Sequence, residues 1–247
     1  MANGFNPDTG STLTTNLKAY WKMDEASGTR VDSVNAHDLS DTNTVTQATG
    51  IVSSAGQFTS ANSEYLSVAD HADISAGDTD WSCAFWVYLD SKSASMSFVG
   101  KWNSVAADRE WICQYDSSDD RFHAIYRASA TQKDVVANKI GSPSTATWYF
   151  IVVWHDATND QVGIQGNNLT ANTSSWNDGV QDGTGPFYVG TTFGTSAYMN
   201  GRIDEIGFWR KVLTSTEKTD LYNSGAGNTY GPLAVASHNL LLLGAGT

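Results

Sequence analysis

The fold of this chain is decided by one stretch near its C-terminus, NGRIDEIGFWRKVLTSTEKTDLYNSG, which spans residues 200–225. Across residues 202–210, apolar side chains fall on both faces of an alternating pattern, which is typical of a strand covered on both sides. Thr214 followed by Glu217 forms a capping box, and Gly225 stands where a helix of about two turns should end. The stretch therefore predicts a buried strand, a short turn and one small helix over residues 214–224.

Strict alternation along this strand also predicts which side chains share a face. It places Ile203, together with Trp209, on one face and Ile206, together with Phe208, on the other.

Four earlier segments carry further strand patterns in the same order along the chain. They are LKAYWKMDEASG at residues 17–28, WSCAFWVYL at 81–89, FVGKW at 98–102 and WYFIVVWHD at 148–156. With residues 200–225, they resemble the laminin-G-like family of the concanavalin A-like lectin/glucanase superfamily. That family opens with a W-x-x-D-E-x-x-G strand and turn, and closes with a G-x-I-D-E strand before a capped helix.

This resemblance implies an all-β fold, a two-sheet antiparallel jelly-roll sandwich with one short C-terminal helix. The composition agrees, because nine Trp, ten Tyr and nine Phe supply aromatic residues that favour strands. We expect an N-terminal arm at residues 1–15, the jelly-roll domain at 16–225, and a linker with an apolar tail at 226–247. Hairpin turns are predicted at residues 116–120 and 155–160, and a long polar loop at 171–185.

The charge of the chain argues against nucleic acid as a partner. The net charge is −12, and the 14 Lys and Arg form no basic run. The acidity can serve solubility alone, or it can favour divalent cations. We expect no membrane partner, because the longest apolar run, residues 148–154, is too short to span a bilayer.

Cys83 and Cys113 both fall in predicted strands, where buried thiols behave as small hydrophobes. The sequence does not decide whether they form a disulfide, because it does not give the separation of their Cα atoms.

Catalytic signals are weak. The glucanase branch of the superfamily uses an E-x-D-x-x-E strand that sets its carboxylates on one face. The five glutamates are Glu25, Glu64, Glu110, Glu205 and Glu217, and none has an aspartate two residues on. The sequence therefore predicts a protein that is not an enzyme.

Glycan binding has better candidates, because sugar sites combine an aromatic platform with polar groups that pair hydroxyls. Trp176 and Asp178 lie in a polar loop, and Tyr115 lies in a strand whose sheet face could present it. We predict these three as ligand-binding residues. The alternatives are that Trp176 is a lid packed on the sandwich and that Tyr115 is a core residue.

The resemblance also implies a structural calcium ion. Carried over by position, Asp204 is the candidate ligand on the closing strand, and Asp24 belongs to the opening turn nearby. Calcium takes six to eight oxygen ligands. The alternative is that Asp204 accepts hydrogen bonds from backbone amides at a strand crossing.

The tail contains four consecutive leucines, Leu240 to Leu243. Exposed apolar segments seek partners, so the tail is expected to pack on its own sheet or on a neighbouring subunit.

We see no secretory signal in the opening residues. From these features we expect a non-enzymatic structural or adhesive module of a bacteriophage virion surface, as a homo-oligomer or part of a larger assembly, with glycans as ligands. The first alternative is a lectin-like domain of a secreted bacterial protein, and the second is a glycan-cleaving enzyme.

Overall fold

A computed structural model describes residues 12–230 of the chain. Within this range the chain forms fifteen strands and one α-helix. They are β1 (Leu17–Trp21), β2 (Ser40–Thr42), β3 (Thr46–Thr49), β4 (Ser54–Phe58), β5 (Tyr65–Val68), β6 (Trp81–Leu89), β7 (Met96–Lys101), β8 (Trp111–Asp116), β9 (Arg121–Arg127), β10 (Gln132–Val136), β11 (Trp148–Asp156), β12 (Gln161–Gly166), β13 (Asn172–Ser175), β14 (Phe187–Val189), β15 (Gly201–Trp209) and α1 (Ser215–Tyr222).

The strands form two antiparallel sheets. The eight-stranded sheet has the order β13-β12-β11-β6-β15-β4-β3, with β1 also paired to β15. The seven-stranded sheet has the order β10-β9-β8-β7-β14-β5-β2. This architecture confirms the predicted all-β, two-sheet sandwich with one short helix. The hairpins β8–β9 and β11–β12 turn at the predicted positions.

The core lies between the two sheets and is rich in aromatic side chains. Trp81 from the eight-stranded sheet contacts Trp111 from the other, with ring centroids 4.9 Å apart. Cys83 and Cys113 are buried in the same core as free thiols.

A second apolar cluster covers the outer face of the eight-stranded sheet. Helix α1 contributes Leu221, which packs in one cluster with Trp86 and Trp154. The Nζ atom of Lys218 lies 3.6 Å from the centre of the Trp154 ring, and burial lowers the pKa of this amine to about 8. The helix therefore covers the outside of one sheet and not of the other.

Strand β15 departs from the predicted strict alternation. The backbone of Glu205 has φ 51°, and the pairing of β15 with β6 shifts register between Asp204 and Gly207. This irregularity is a β-bulge, which adds a residue to one strand and reverses the faces beyond it. As a result Ile203 shares the inner core with Ile206, while Trp209 lies in the outer cluster. The prediction that Ile203 shares a face with Trp209 was wrong for this reason, whereas Ile206 and Phe208 do share one.

The predicted capping box is confirmed, because the Thr214 side chain accepts a hydrogen bond from the Glu217 amide and Glu217 returns one. The predicted end of the helix is wrong by two residues. Asn223 takes the left-handed conformation, φ 45°, that ends α1, and Gly225 follows it in a short 3-10 turn. Asn is one of the residues that tolerate this conformation.

The described parts of the expected arm and linker pack on the sandwich. Leu13 is fully buried, and its carbonyl accepts a hydrogen bond of 2.6 Å from Trp209 Nε1. Tyr230 is 3% exposed, and its hydroxyl donates to the Glu205 carbonyl at 2.9 Å. The segment Leu240 to Leu243 lies outside the described residues.

The region predicted as one long polar loop, residues 171–185, contains β13, an edge strand paired to β12. Within residues 12–230, no helix is both long enough and apolar enough to cross a bilayer.

Candidate functional site

Five connections meet at one end of the sandwich, which we call the loop end. They are residues 69–80, 102–110, 128–131, 157–160 and 176–186. Loops carried on a rigid sheet are common places for binding residues, so this end is a candidate binding region.

A buried ion pair fixes the loop end. Lys101, at the end of β7, and Glu110 are both fully buried, and Lys101 Nζ lies 2.7 Å from Glu110 Oε1. The Glu110 carboxylate also accepts hydrogen bonds from the amides of Ala76, at 2.6 Å, and Gly183, at 3.0 Å. One carboxylate therefore joins three of the five connections.

An open cleft of about 630 Å³ lies at the loop end. Its charged lining residues are Asp78, Asp80, Asp182 and Arg210. The Arg210 guanidinium is engaged, since it donates to the Ala76 carbonyl at 2.8 Å and to Thr79 Oγ1 at 2.9 Å. No aromatic side chain lines this cleft among the described residues, so it lacks a platform for a sugar ring.

Trp176 and Asp178 are brought together at a smaller depression of about 270 Å³. Trp176 is only 4% exposed and belongs to the inner core, and its Nε1 donates to the Gly179 carbonyl at 2.8 Å. Asp178 is exposed and accepts a hydrogen bond of 2.5 Å from Thr131 Oγ1. Lys133 Nζ lies 5.7 Å from the centre of the Trp176 ring. The indole is therefore packed as a lid on the sandwich, which is the alternative to a ligand-binding role given for it above.

Tyr115 is placed away from these two residues. It is 2% exposed in the inner core, where it packs against Phe122. Its hydroxyl donates to Asp120 at 2.8 Å, and burial, together with this bond, raises the pKa of the phenol to about 12. In this position the ring stabilises the core.

At the opposite end, a depression of about 250 Å³ has the chemical character of a sugar site. The side chains of Ser60, Ser91, Ser93 and Asn200 line it with hydroxyl and amide groups, and Tyr198 supplies an aromatic ring. None of the described residues that line it is charged. We call it the serine depression.

Two further tyrosines extend the aromatic surface from the serine depression. The ring of Tyr65 lies 6.4 Å from that of Tyr198 in a stacked arrangement and 6.0 Å from that of Tyr188 in an edge arrangement. All three are half-buried, and burial raises the pKa of Tyr188. We call Tyr65, Tyr188 and Tyr198 the tyrosine patch.

The strands explain why the patch faces outward. In β5 the neighbouring Leu66 points into the core, and in β14 both Phe187 and Val189 do so. Because side chains alternate along a strand, Tyr65 and Tyr188 must point to the outer face of the seven-stranded sheet. These residues were not predicted from the sequence, although the alternation in YLSV and FYV was available as a signal.

The predicted calcium ligands lie at the hairpin that joins β3 to β4. Asp204 is fully buried, and its Oδ2 accepts hydrogen bonds from the amides of Ile51, at 2.9 Å, and Val52, at 3.1 Å. Asp24 Oδ1 accepts one from the Ser54 amide at 3.0 Å. Burial raises the pKa of Asp204 to about 8, and the nearby charge of Asp24 adds to the shift.

These residues fit calcium in one respect. The oxygens Asp204 Oδ1 and Glu205 Oε1 are buried and have no hydrogen-bond partner within the described range, so a cation there would compensate them. In residues 12–230, however, the carboxylates of Asp24, Asp204 and Glu205 do not form a group of ligand atoms within 4.8 Å of one another. Main-chain oxygens would have to supply most of the coordination.

Glu205 itself is enclosed rather than set in a cleft. It is 2% exposed, the Tyr20 hydroxyl donates to its carboxylate, and burial raises its pKa to about 9. A glycosidase needs two carboxyl groups that reach one glycosidic bond. Here Tyr20 binds the one buried carboxyl group, and Tyr230, which packs on Tyr20, binds the main-chain carbonyl of the same residue.

Comparison with known proteins identifies the family. The sequence matches the family described as the Concanavalin A-like lectin/glucanases superfamily over residues 60–217, and the chain belongs to it. No curated protein sequence is significantly similar to the chain.

Solved structures of low sequence identity share the fold. The binding domain of Paraclostridial Mosquitocidal Protein 1 superposes with a TM-score of 0.70 at 17% identity, covering 87% of this chain and 53% of that one. Domain 4 of AbnA, a GH43 extracellular arabinanase from Geobacillus stearothermophilus in complex with arabinotriose, gives 0.63 at 17% identity, covering 83% and 97%. The ligand binding domain of botulinum neurotoxin serotype D, in complex with N-acetylneuraminic acid, gives 0.63 at 12% identity, covering 85% and 51%.

This chain thus spans about half the length of the first of these structures and nearly all of the arabinanase domain. At these identities the likeness concerns the fold alone.

Proposed function

We propose that this protein is a non-enzymatic adhesive module that binds glycans through the tyrosine patch and the serine depression. The observation that carries the proposal is the position of Tyr198, whose ring belongs to the patch and also lines the depression. A sugar unit can stack its C–H face on such a ring while neighbouring hydroxyl and amide groups pair its hydroxyls.

The tyrosine patch is better suited to this role than the loop residues named from the sequence. Trp176 exposes too little of its ring to stack on a sugar, although Asp178 remains an exposed acceptor beside it. The Trp176 depression is therefore the alternative site, and mutation distinguishes the two.

The proposal that the module is not an enzyme rests on the sequence, on the burial of Glu205 and on the lining of the serine depression. The family hosts both lectins and glucanases, so the fold does not decide the question. Glu205 is covered, and the serine depression has no carboxylate in its lining among the described residues. A carboxylate pair at that site is what hydrolysis would require.

A structural calcium ion at Asp204 is part of the proposal. Its support is the orphaned Oδ1 atom of this buried side chain. A bound ion would stabilise the β3–β4 hairpin against β15 in the eight-stranded sheet, whereas Tyr65 and Tyr188 belong to the other sheet. The ion would take no part in glycan recognition.

The setting that we propose is the surface of a bacteriophage virion, with glycans of the host or its surroundings as targets and with other virion proteins or further copies of this chain as partners. The apolar segment Leu240 to Leu243 supports an attached rather than a free module. A secreted bacterial protein is the alternative setting. Co-sedimentation of the chain with intact particles supports the first, and its recovery from particle-free medium supports the second.

A glycan array with matched variants tests the binding proposal. The array should include arabinotriose and N-acetylneuraminic acid, which are bound in two of the structural neighbours. Wild-type protein is expected to bind at least one glycan, and Tyr198→Ala and Tyr188→Ala should each lower that affinity at least tenfold. Asp178→Ala should leave it unchanged.

Tyr88→Ala is the control for loss of an aromatic surface residue. The Tyr88 ring lies 5.3 Å from Trp148 and 4.5 Å below the Arg202 guanidinium, on the other sheet. Binding that is lost in Asp178→Ala and kept in Tyr198→Ala would move the site to the loop end. Release of reducing sugar from the bound glycan would contradict the non-enzymatic assignment.

A further inference from the structure

We propose that His37, His71 and Asp73 form a binding site for a divalent transition-metal ion such as Zn²⁺. Within residues 12–230 they are the one group of three metal-ligating side chains whose ligand atoms all lie within 4.8 Å of one another. His71 and Asp73 belong to the 69–80 connection, and His37 belongs to the loop that leads to β2. The site is separate from the calcium position and from the tyrosine patch.

The distances suit a tetrahedral ion. His37 Nε2 lies 3.2 Å from Asp73 Oδ2, and His71 Nδ1 lies 3.6 Å from the same oxygen. Around Zn²⁺ with bonds of about 2.0–2.1 Å, two tetrahedral ligands are separated by roughly 3.3 Å. The two imidazole nitrogens lie within 4.8 Å of each other, and rotation of the side chains has to bring all three ligand atoms onto one ion.

His37 is held in place from both sides. Its amide donates to Asp32 Oδ2 at 3.0 Å, and its carbonyl accepts a hydrogen bond of 2.8 Å from Trp21 Nε1. Asp32 also accepts from the Tyr20 amide on β1, at 2.8 Å. Since Trp21 is fully buried, the loop that carries this imidazole is anchored in the core, and little order has to be gained when a metal binds.

The other two ligands already contact each other. The Asp73 amide donates to His71 Nδ1 at 3.1 Å, so the lone pair of that nitrogen is directed at the main chain of Asp73. A metal ion would take the place of this amide proton. Lys18 Nζ lies 3.6 Å from Asp73 Oδ1 and leaves Oδ2 facing both imidazoles.

The donor set selects the class of ion. Two imidazoles and one carboxylate suit Zn²⁺, Ni²⁺, Co²⁺ or Cu²⁺, whereas Ca²⁺ and Mg²⁺ prefer oxygen ligands alone. Three protein ligands leave a fourth position for water or for an oxygen of a bound partner. The His71 side chain is 53% exposed, so this position is open to solvent.

The test uses the chain without a polyhistidine tag, after treatment with EDTA and buffer exchange. Titration calorimetry with Zn²⁺ should show one saturable site, and Zn²⁺ should raise the melting temperature until that site is filled. Co²⁺ should give the visible absorption of a tetrahedral complex. His71→Ala and Asp73→Asn should each weaken Zn²⁺ binding at least tenfold. His71 is exposed, so its removal leaves the core intact.

His123→Gln is the matched control. His123 also contacts two aspartates, but these lie on opposite ring nitrogens, Asp134 on Nδ1 at 2.9 Å and Asp119 on Nε2 at 3.0 Å. The His123→Gln variant should bind Zn²⁺ with the same affinity as the wild type. Absence of a saturable site in the wild type, or unchanged Zn²⁺ affinity in His71→Ala, would overturn the assignment. Loss of binding in His123→Gln alone would place the ion elsewhere.

Discussion

The buried ion pair between Lys101 and Glu110 allows the loss of stability in a variant to be predicted quantitatively. Replacing Lys101 by Met keeps a side chain of similar length but removes the ammonium 2.7 Å from Glu110 Oε1. The carboxylate stays fully buried, hydrogen-bonded to the amides of Ala76 and Gly183, and the Arg210 guanidinium is a positive charge that still acts on it. Removing one partner of such a pair costs about 3–5 kcal/mol.

For a domain of this size, each kcal/mol lowers the melting temperature by about 2–4 °C, so Lys101→Met should melt about 6–20 °C below the wild type. Burial raises the pKa of Glu110 to about 7, in spite of the lysine. Thermal unfolding should therefore be followed by circular dichroism at pH 8, where the carboxyl group of the wild type is ionised.

Lys92→Met is the control for this measurement. Lys92 Nζ lies 2.8 Å from Asp120 Oδ2, but the two side chains are 33% and 36% exposed. An exposed pair contributes about 0–1 kcal/mol. If Lys101→Met melts within a few degrees of Lys92→Met, the buried pair does not fix the loop end and the reasoning is refuted. Below its melting temperature, Lys101→Met should keep glycan binding, because the serine depression lies at the opposite end and Tyr188, which pairs with Gly100, points to the outer face of the sheet.

Three further predictions concern pH, metal and the tail. Hydrogen bonds from His123 to Asp134 and Asp119 raise the pKa of the imidazole to about 9, so the stability that they confer is present below pH 6.5 and is lost as the pH rises through 9. In His123→Gln, the free energy of unfolding by urea should fall by about 1 kcal/mol less between pH 6 and 9.5 than it does in the wild type. The difference is this small because both aspartates are over 40% exposed. The same pH dependence in both proteins would contradict this prediction. Calcium should raise the melting temperature of the wild type and not of Asp204→Asn. If calcium leaves the wild-type melting curve unchanged, Asp204 only accepts hydrogen bonds from backbone amides. Deleting residues 232–247 should leave a folded monomer by sedimentation, and an unfolded product would mean that the tail belongs to the core of its own chain.

Local signals explain why so much of the fold could be predicted. The capping box at Thr214 and Glu217 needs only four residues, and it forms as expected. The bulge at Glu205 could not be predicted in this way, because it exists only in the register between β15 and β6. Asn223 ended the helix before Gly225 because both residue types accept the left-handed conformation.

The candidate site was harder to predict for the same reason. Trp176 stands among polar residues in sequence, yet its indole turns inward onto the core. Tyr65 and Tyr188 alternate with core residues, so the sequence indicates that they point away from the core. Tertiary packing decides which of the two sheets the helix covers, and therefore which outer face stays exposed. His37 and Asp73 are 36 positions apart and meet only because β1 and the 69–80 connection share one end of the sandwich.

The most direct test of the central claim is an NMR titration with the strongest ligand from the glycan array. Aromatic side-chain resonances would be assigned through Tyr→Phe variants and followed as the glycan is added. The account predicts saturable shifts of Tyr65, Tyr188 and Tyr198, while Trp176 stays unchanged. Shifts confined to Trp176, with the three tyrosines unaffected, would contradict it.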